Sequence, residues 1–135
     1  MLINLFRFFA LKKSPSDRIL VYACKEGNLE LVKIFEGHLV LHKTIRNAIS
    51  FAAMYSQKEV FFYLLPKIDF DSKLIGDAVC GNSYQIVDQM FCSKKANIMD
   101  VRKKDFEYSV SSLDEKMIIL FLFYGFVKKK KKISL

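Results

Sequence analysis

The sequence predicts an all-α protein, a helical-hairpin repeat solenoid of about four helix pairs preceded by an N-terminal half unit. Three observations point there. The stretch Ala23-Cys-Lys-Glu-Gly-Asn-Leu-Glu-Leu-Val-Lys-Ile-Phe35 reads as helix, tight turn and second helix, with apolar positions 19, 20, 23 and 24 before Gly27-Asn28 and 31, 32 and 35 after it. Each set forms one face of a helix. Shifts of 29, 55 and 86 carry Ile19, Leu20, Ala23 and Cys24 onto Ala48, Ile49, Ala52 and Ala53, then Leu74, Ile75, Ala78 and Val79, then Asp105, Phe106, Ser109 and Val110. The same shifts carry Leu31, Val32 and Phe35 onto Val60, Phe61 and Leu64, then Ile86, Val87 and Met90, then Met117, Ile118 and Phe121. Only Asp105 and Ser109 break the apolar pattern. Finally, no convincing strand alternation competes with this reading.

Taken in order, residues 1–13 come first. Shifting the pattern back by 29 puts apolar residues at Leu2, Ile3 and Phe6, so this segment reads as a capping half repeat. Ser14-Pro15-Ser16-Asp17 then opens the first full unit, with proline in the first turn of a helix, where its missing N–H costs nothing. Units follow at 14–43, 44–70, 71–99 and 100–127, giving a single domain over 1–127 and a basic tail, expected to be disordered, over 128–135. The small residues Ala23, Ala52, Ala78 and Ser109 let two antiparallel helices approach closely. Recurring turns at Gly27-Asn28, Ser56-Gln57, Asn82-Ser83 and Leu113-Asp114 join the helices of each pair, and Asn28, Ser83 and Asp114 are suited to cap the second helix. The connectors 36–44, 66–72 and 93–103 carry glycine, proline, asparagine, aspartate and many charges and are expected at the surface.

Composition bounds the function. With 135 residues and 52% hydrophobic content the chain can bury a core. The net charge of +8 is concentrated: removing Lys128 to Lys132 leaves 8 − 5 = +3. Three cysteines without short pairing argue against a disulfide framework and for a reducing compartment, with the cytoplasm as default and a host cytoplasm or nucleus included. The apolar opening over residues 1–11 lacks the charge order and cleavage site of a signal peptide. The apolar run after Lys116 is too short for a membrane span, which needs about 20 residues.

These residues resemble ankyrin repeats, whose core reads Leu-His-x-Ala-Ala-x-x-Gly-His-x-Glu-Ile-Val-x-x-Leu. The best match is residues 20–35, where Ala23, Gly27, Glu30, Leu31 and Val32 fall on the family positions. Ala52, Ala53, Glu59 and Val60 do so in the second unit, and Ala78, Gln85, Ile86 and Val87 in the third. The resemblance covers residues 14–127, with the fourth unit weakest. No unit has the Thr-Pro-Leu-His tetrapeptide, and most units are shorter than the usual length of about 33. The likeness is to divergent repeats of viral, protist and intracellular-bacterial proteins, with β-hairpin fingers clipped or missing. It implies a protein-interaction module without a cofactor, engaging a host or defence component.

Candidate chemistry is sparse. His38 and His42, four apart, could share a helix face toward zinc, but third and fourth ligands are lacking nearby. Cys24, Cys80 and Cys92 read as small hydrophobes rather than nucleophiles. No phosphate loop, paired-carboxylate motif or triad signature is present, so neither enzyme activity nor a cofactor is expected.

Two features stand out. The last helix, read as Met117 to Val127, carries Ile119, Leu120, Phe123, Tyr124 and Phe126 outside the repeat's buried set. These are the candidate partner-binding residues, for another protein or for a second copy of the chain in a homo-oligomer, because a terminal repeat normally needs a polar outer face. Alternatively they fold back over their own helix pair. Lys94, Lys95, Arg102, Lys103 and Lys104, with Lys128, Lys129, Lys130, Lys131 and Lys132, are the candidate anion-binding residues. They support an alternative function, an anion-binding adaptor on nucleic acid or an anionic membrane, whose affinity would fall steeply with salt.

Overall fold

The computed structural model describes residues 15–36 and 42–125. Expectations for the half unit, for His38 and Phe126 and for the lysine tail lie outside the described residues. Among the described residues the chain is all-helical, with eight α-helices, two short 3-10 turns and no strand. In chain order these are α1 (Pro15–Glu26), α2 (Leu29–Glu36), α3 (His42–Met54), α4 (Lys58–Leu64), α5 (Lys73–Cys80), α6 (Tyr84–Cys92), α7 (Lys103–Ser111) and α8 (Glu115–Phe123). The 3-10 turns are Leu65–Lys67 and Ile98–Asp100.

The helices come in pairs because the same short turn recurs at the expected spacing. Its pivot is left-handed in every case: Gly27 (φ 75°), Ser56 (60°), Asn82 (54°) and Leu113 (56°). The residue after each pivot donates its N–H five residues back, Asn28 to Ala23 O (2.9 Å), Gln57 to Ala52 O (2.8 Å), Ser83 to Ala78 O (2.8 Å) and Asp114 to Ser109 O (3.0 Å). This is the Schellman closure, which satisfies carbonyls the helix end would otherwise leave bare. All four acceptors are the small residues of the repeat, and all four are fully buried.

The chain folds as two compact units, one of Met1–Ala52 and Gln57–Asp69, the other of Ala53–Ser56 and Phe70–Leu135. In the first unit α1 packs on α2, and α2 on α4. Leu20, Val32, Ala48, Ile49, Val60, Phe61 and Leu64 are buried there, as the repeat register expects. Gln57 reaches back to the preceding turn, donating from Nε2 to Lys25 O at 3.0 Å. A methyl group on Gly27 would collide with Gln57 Oε1. Tyr63 donates to Glu36 Oε1 (2.6 Å), and its ring lies below Lys33 and Lys67. That bond to a carboxylate, ahead of burial, raises the Tyr63 phenol's pKa.

In the second unit α5 packs on both α6 and α7, and α8 on both α6 and α7. First helix therefore meets first helix and second meets second, so the third pair stacks on the fourth. Leu74, Ile75, Ala78, Val79, Ile86, Val87, Met90, Met117 and Phe121 form the core. The pattern-breaking Asp105 and Ser109 are buried too. Asp105 accepts two bonds from Arg102, at 2.9 and 3.0 Å, and this fork lies against Gly76, where a methyl group would collide with Arg102 Nη2. Glycine thus makes room for the ion pair between α5 and α7.

Several expectations need correction. Asn28 and Asp114 do cap, accepting from Leu31 N (3.1 Å) and Met117 N (3.2 Å). Ser83 does not cap; its hydroxyl donates to Ala53 O (2.5 Å) and pairs with Ser56 Oγ (2.7 Å), tying two turns together. The connectors are not purely surface features: Ile68, Ala96, Ile98 and Val101 are buried, and Asn97 and Asp100 form a capping box between them. His42, expected in a connector, begins α3. Val110, expected in the core, is exposed. The last helix stops at Phe123, followed by a turn with Gly125 at φ 90°, instead of running to Val127.

Candidate interaction surface

The fourth pair carries an apolar surface that its own packing does not use. In the third pair Val79 and Phe91 are buried, and the Phe91 ring meets Tyr124, at the end of α8, at 4.9 Å. The register step from the third to the fourth pair is 86 − 55 = 31, which places Val110 and Leu122 at the equivalent positions. Both are exposed, at 46% and 47%. The side chains that one pair uses to receive the next are therefore apolar here as well, and open to solvent.

A second set lies elsewhere on α8. Ile119 is 64% and Phe123 79% exposed, on the helix face opposite buried Met117 and Phe121. In the third pair the same register positions hold Asp88 and Cys92. In the third pair these positions meet the fourth through polar bonds, to the hydroxyl of Tyr124. Glu115 and Lys116 occupy the N-terminal turn of this helix, and Lys116 Nζ lies 5.0 Å above the ring of Tyr84 on α6.

The other predicted residues of this segment have inward roles. Leu120 is half-buried. Tyr124 donates to Asp88 Oδ1 at 2.6 Å, and its hydroxyl lies 2.8 Å from Cys92 Sγ, so it fastens the end of α8 to α6. The bond to the Asp88 carboxylate, followed by that to Cys92, raises the Tyr124 pKa above the usual phenol range.

The basic connector is only partly free to meet an anion. Arg102 is held by Asp105, whose bond raises its pKa. Lys103 lies 3.8 Å from Glu107. Lys94, Lys95 and Lys104 are exposed, Lys94 on a left-handed backbone (φ 59°). Of the cysteines, Cys24 is buried, which pushes its thiol up to about 12, whereas Cys80 and Cys92 are exposed. Burial, ahead of the charge of Asp105, also raises the Cys80 thiol.

Among the described residues no group of three or more His, Cys, Asp or Glu side chains is arranged to hold a metal ion. No helix among them is long and apolar enough to cross a membrane. Sequence reasoning singles out α8 but misses Val110, Leu113 and Leu122 as exposed apolar residues. The apolar character of Val110 and Leu122 at the register positions of Val79 and Phe91 is legible in the sequence, whereas their exposure is not. No family model, no curated protein and no solved structure matches the chain.

Proposed function

We propose that the chain is a non-enzymatic protein-interaction module, a short ankyrin-like solenoid whose fourth helix pair receives a helical element of a partner protein. The observation that carries this reading is the solvent exposure of Val110 and Leu122 at positions whose counterparts, Val79 and Phe91, are buried. A helix or helical hairpin laid there would bury the same kind of surface as a further repeat. The resemblance to divergent ankyrin repeats supports the same class of function and suggests a viral or pathogen protein acting on a host component. The reading calls for no cofactor.

The test is affinity capture with the full chain and with a Val110→Glu, Leu122→Glu double variant. Both sites are exposed, so the variant keeps wild-type helicity and melting behaviour. Partner proteins retained by the wild type are expected to be lost, since a charge placed in an apolar contact costs on the order of 2 kcal/mol or more. Identical retention by both chains would refute the assignment.

A further inference from the structure

The contacts that fasten the fourth pair to the third show, one register step on, what the open face of the fourth pair asks of an occupant. Three groups of α6 receive Tyr124: its ring meets Phe91, and its hydroxyl bonds Asp88 Oδ1 at 2.6 Å and lies 2.8 Å from Cys92 Sγ. Their counterparts 31 residues on are Leu122, Ile119 and Phe123, all apolar and all exposed. A tyrosine hydroxyl brought against these side chains would lose water and find no acceptor among them, whereas an aliphatic or phenylalanine side chain would bury its whole surface.

Elsewhere on the face the register step adds charge. Gly76, whose missing side chain makes room for the Arg102 guanidinium, is replaced by Glu107. Tyr84, whose ring lies 5.0 Å beneath Lys116 Nζ, is replaced by Glu115. Both glutamates are exposed, and the contact of Glu107 with Lys103, at 3.8 Å within one helix, is a weak surface pair that a better-placed cation can displace. Where the third pair receives cations with a space and a ring, the fourth presents a carboxylate at each place, so a cation of the occupant gains a charged partner.

We infer, resting on the receiving-face reading, that the partner element is a helical hairpin with an apolar residue at the position of Tyr124 and basic residues at those of Arg102 and Lys116, which pair with Glu107 and Glu115. A second copy of the chain does not meet these terms. Stacked head to tail, its first pair would bring Glu30, 86 residues before Lys116, against Glu115, where like charges repel. The face thus opposes open-ended stacking of copies and favours a hairpin of different sequence.

The experiment is selection of phage-displayed helical hairpins on the immobilised full chain. The library follows the pattern of α7 and α8 with the positions of Arg102, Lys116 and Tyr124 randomised, and the Val110→Glu, Leu122→Glu double variant serves for counter-selection. Enriched hairpins are expected to carry Lys or Arg at the first two positions and Leu, Ile, Met or Phe at the third. Restoring tyrosine in the best hairpin should weaken its binding ~10-fold or more. Glu107→Lys with Glu115→Lys in the chain should weaken it ~10-fold or more, and a hairpin with glutamates at the two basic positions should recover the loss. Melting curves verify that the variants are folded. Hairpins that need Val110 and Leu122 but enrich tyrosine, or show no preference for basic residues, would overturn this inference and leave the receiving face standing. Failure of every hairpin to distinguish the wild type from the double variant would overturn both. Concentration-dependent self-association of the full chain, abolished in the double variant, would overturn the inference by assigning the face to a second copy.

Discussion

Leu113 holds a backbone conformation that leucine rarely adopts, with φ at 56° and its side chain 81% exposed. The cost of a left-handed β-carbon is roughly 1 kcal/mol, and burial of this side chain does little to offset it. Leu113→Asn should therefore raise the unfolding free energy by about 0.5–1 kcal/mol, read from urea midpoints. At the equivalent position Gly27→Ala should lower it by about 1–2 kcal/mol, because the new methyl also meets Gln57. The thiols give an independent test. Cys24 is buried with its thiol pushed up to about 12, so a maleimide reagent should modify Cys80 and Cys92 in the native protein and reach Cys24 only on unfolding. Tyr63 and Tyr124, together with the buried Cys24 thiol, shape the alkaline side. A phenol whose folded pKa lies above its unfolded one keeps a proton that the unfolded chain releases. Its stabilisation is complete below about pH 10 and is lost as pH rises through the folded value. The buried Cys24 thiol, pushed up from about 9 to about 12, acts with the same sign, so stability should fall as the pH is raised past about 9, and Tyr124→Phe should make the part of that fall above about pH 10 shallower.

At the scale of the element, the turns carry the repeat. The spacing of the turns at Gly27, Ser56, Asn82 and Leu113 is legible in the sequence because a small residue four positions earlier recurs with each, for a steric reason, whereas the left-handed backbone at Ser56 and Leu113 is not. The role of Ser83 is not legible, since nothing in the local sequence shows that Ala53 O lies within reach of its hydroxyl. The charges of the connector 93–103 suggest a surface segment, yet Ala96, Ile98 and Val101 are buried. Isolated apolar residues in a polar segment have no period to reveal them. Asp105 breaks the apolar pattern because its partner, Arg102, restores the charge balance only in three dimensions. Gly81 is constrained by space and not by its backbone. Its φ is an ordinary −89°, but a methyl there would collide with Met54 O, a backbone atom that cannot swing away. Gly81→Ala should therefore cost about 2 kcal/mol or more, seen as a lowered melting temperature, whereas Cys80→Ala on the exposed flank should be nearly neutral.

At the scale of the whole molecule, the sequence shows where the apolar surplus is but not which part of it is buried. Met117 and Phe121 are inside, Tyr124 is a clasp, and Ile119, Leu122 and Phe123 face solvent. A helix that is apolar on every side offers no periodicity from which to tell these roles apart. Its length is obscured for a related reason: Gly125 sits inside an apolar run, and only the turn at Tyr124 and Gly125 shows that the helix ends at Phe123. On the proposed reading, partner binding runs through Val110 and Leu122. The most direct measurement is site-specific photocross-linking in cells, with a benzoylphenylalanine placed in turn at Leu122 and at two exposed positions of other elements, Ile34 and Tyr55. A discrete protein adduct from position 122 and none from 34 or 55 is the expected result. Adducts of equal yield at all three positions, or at 34 or 55 alone, would contradict a receiving face on the fourth helix pair.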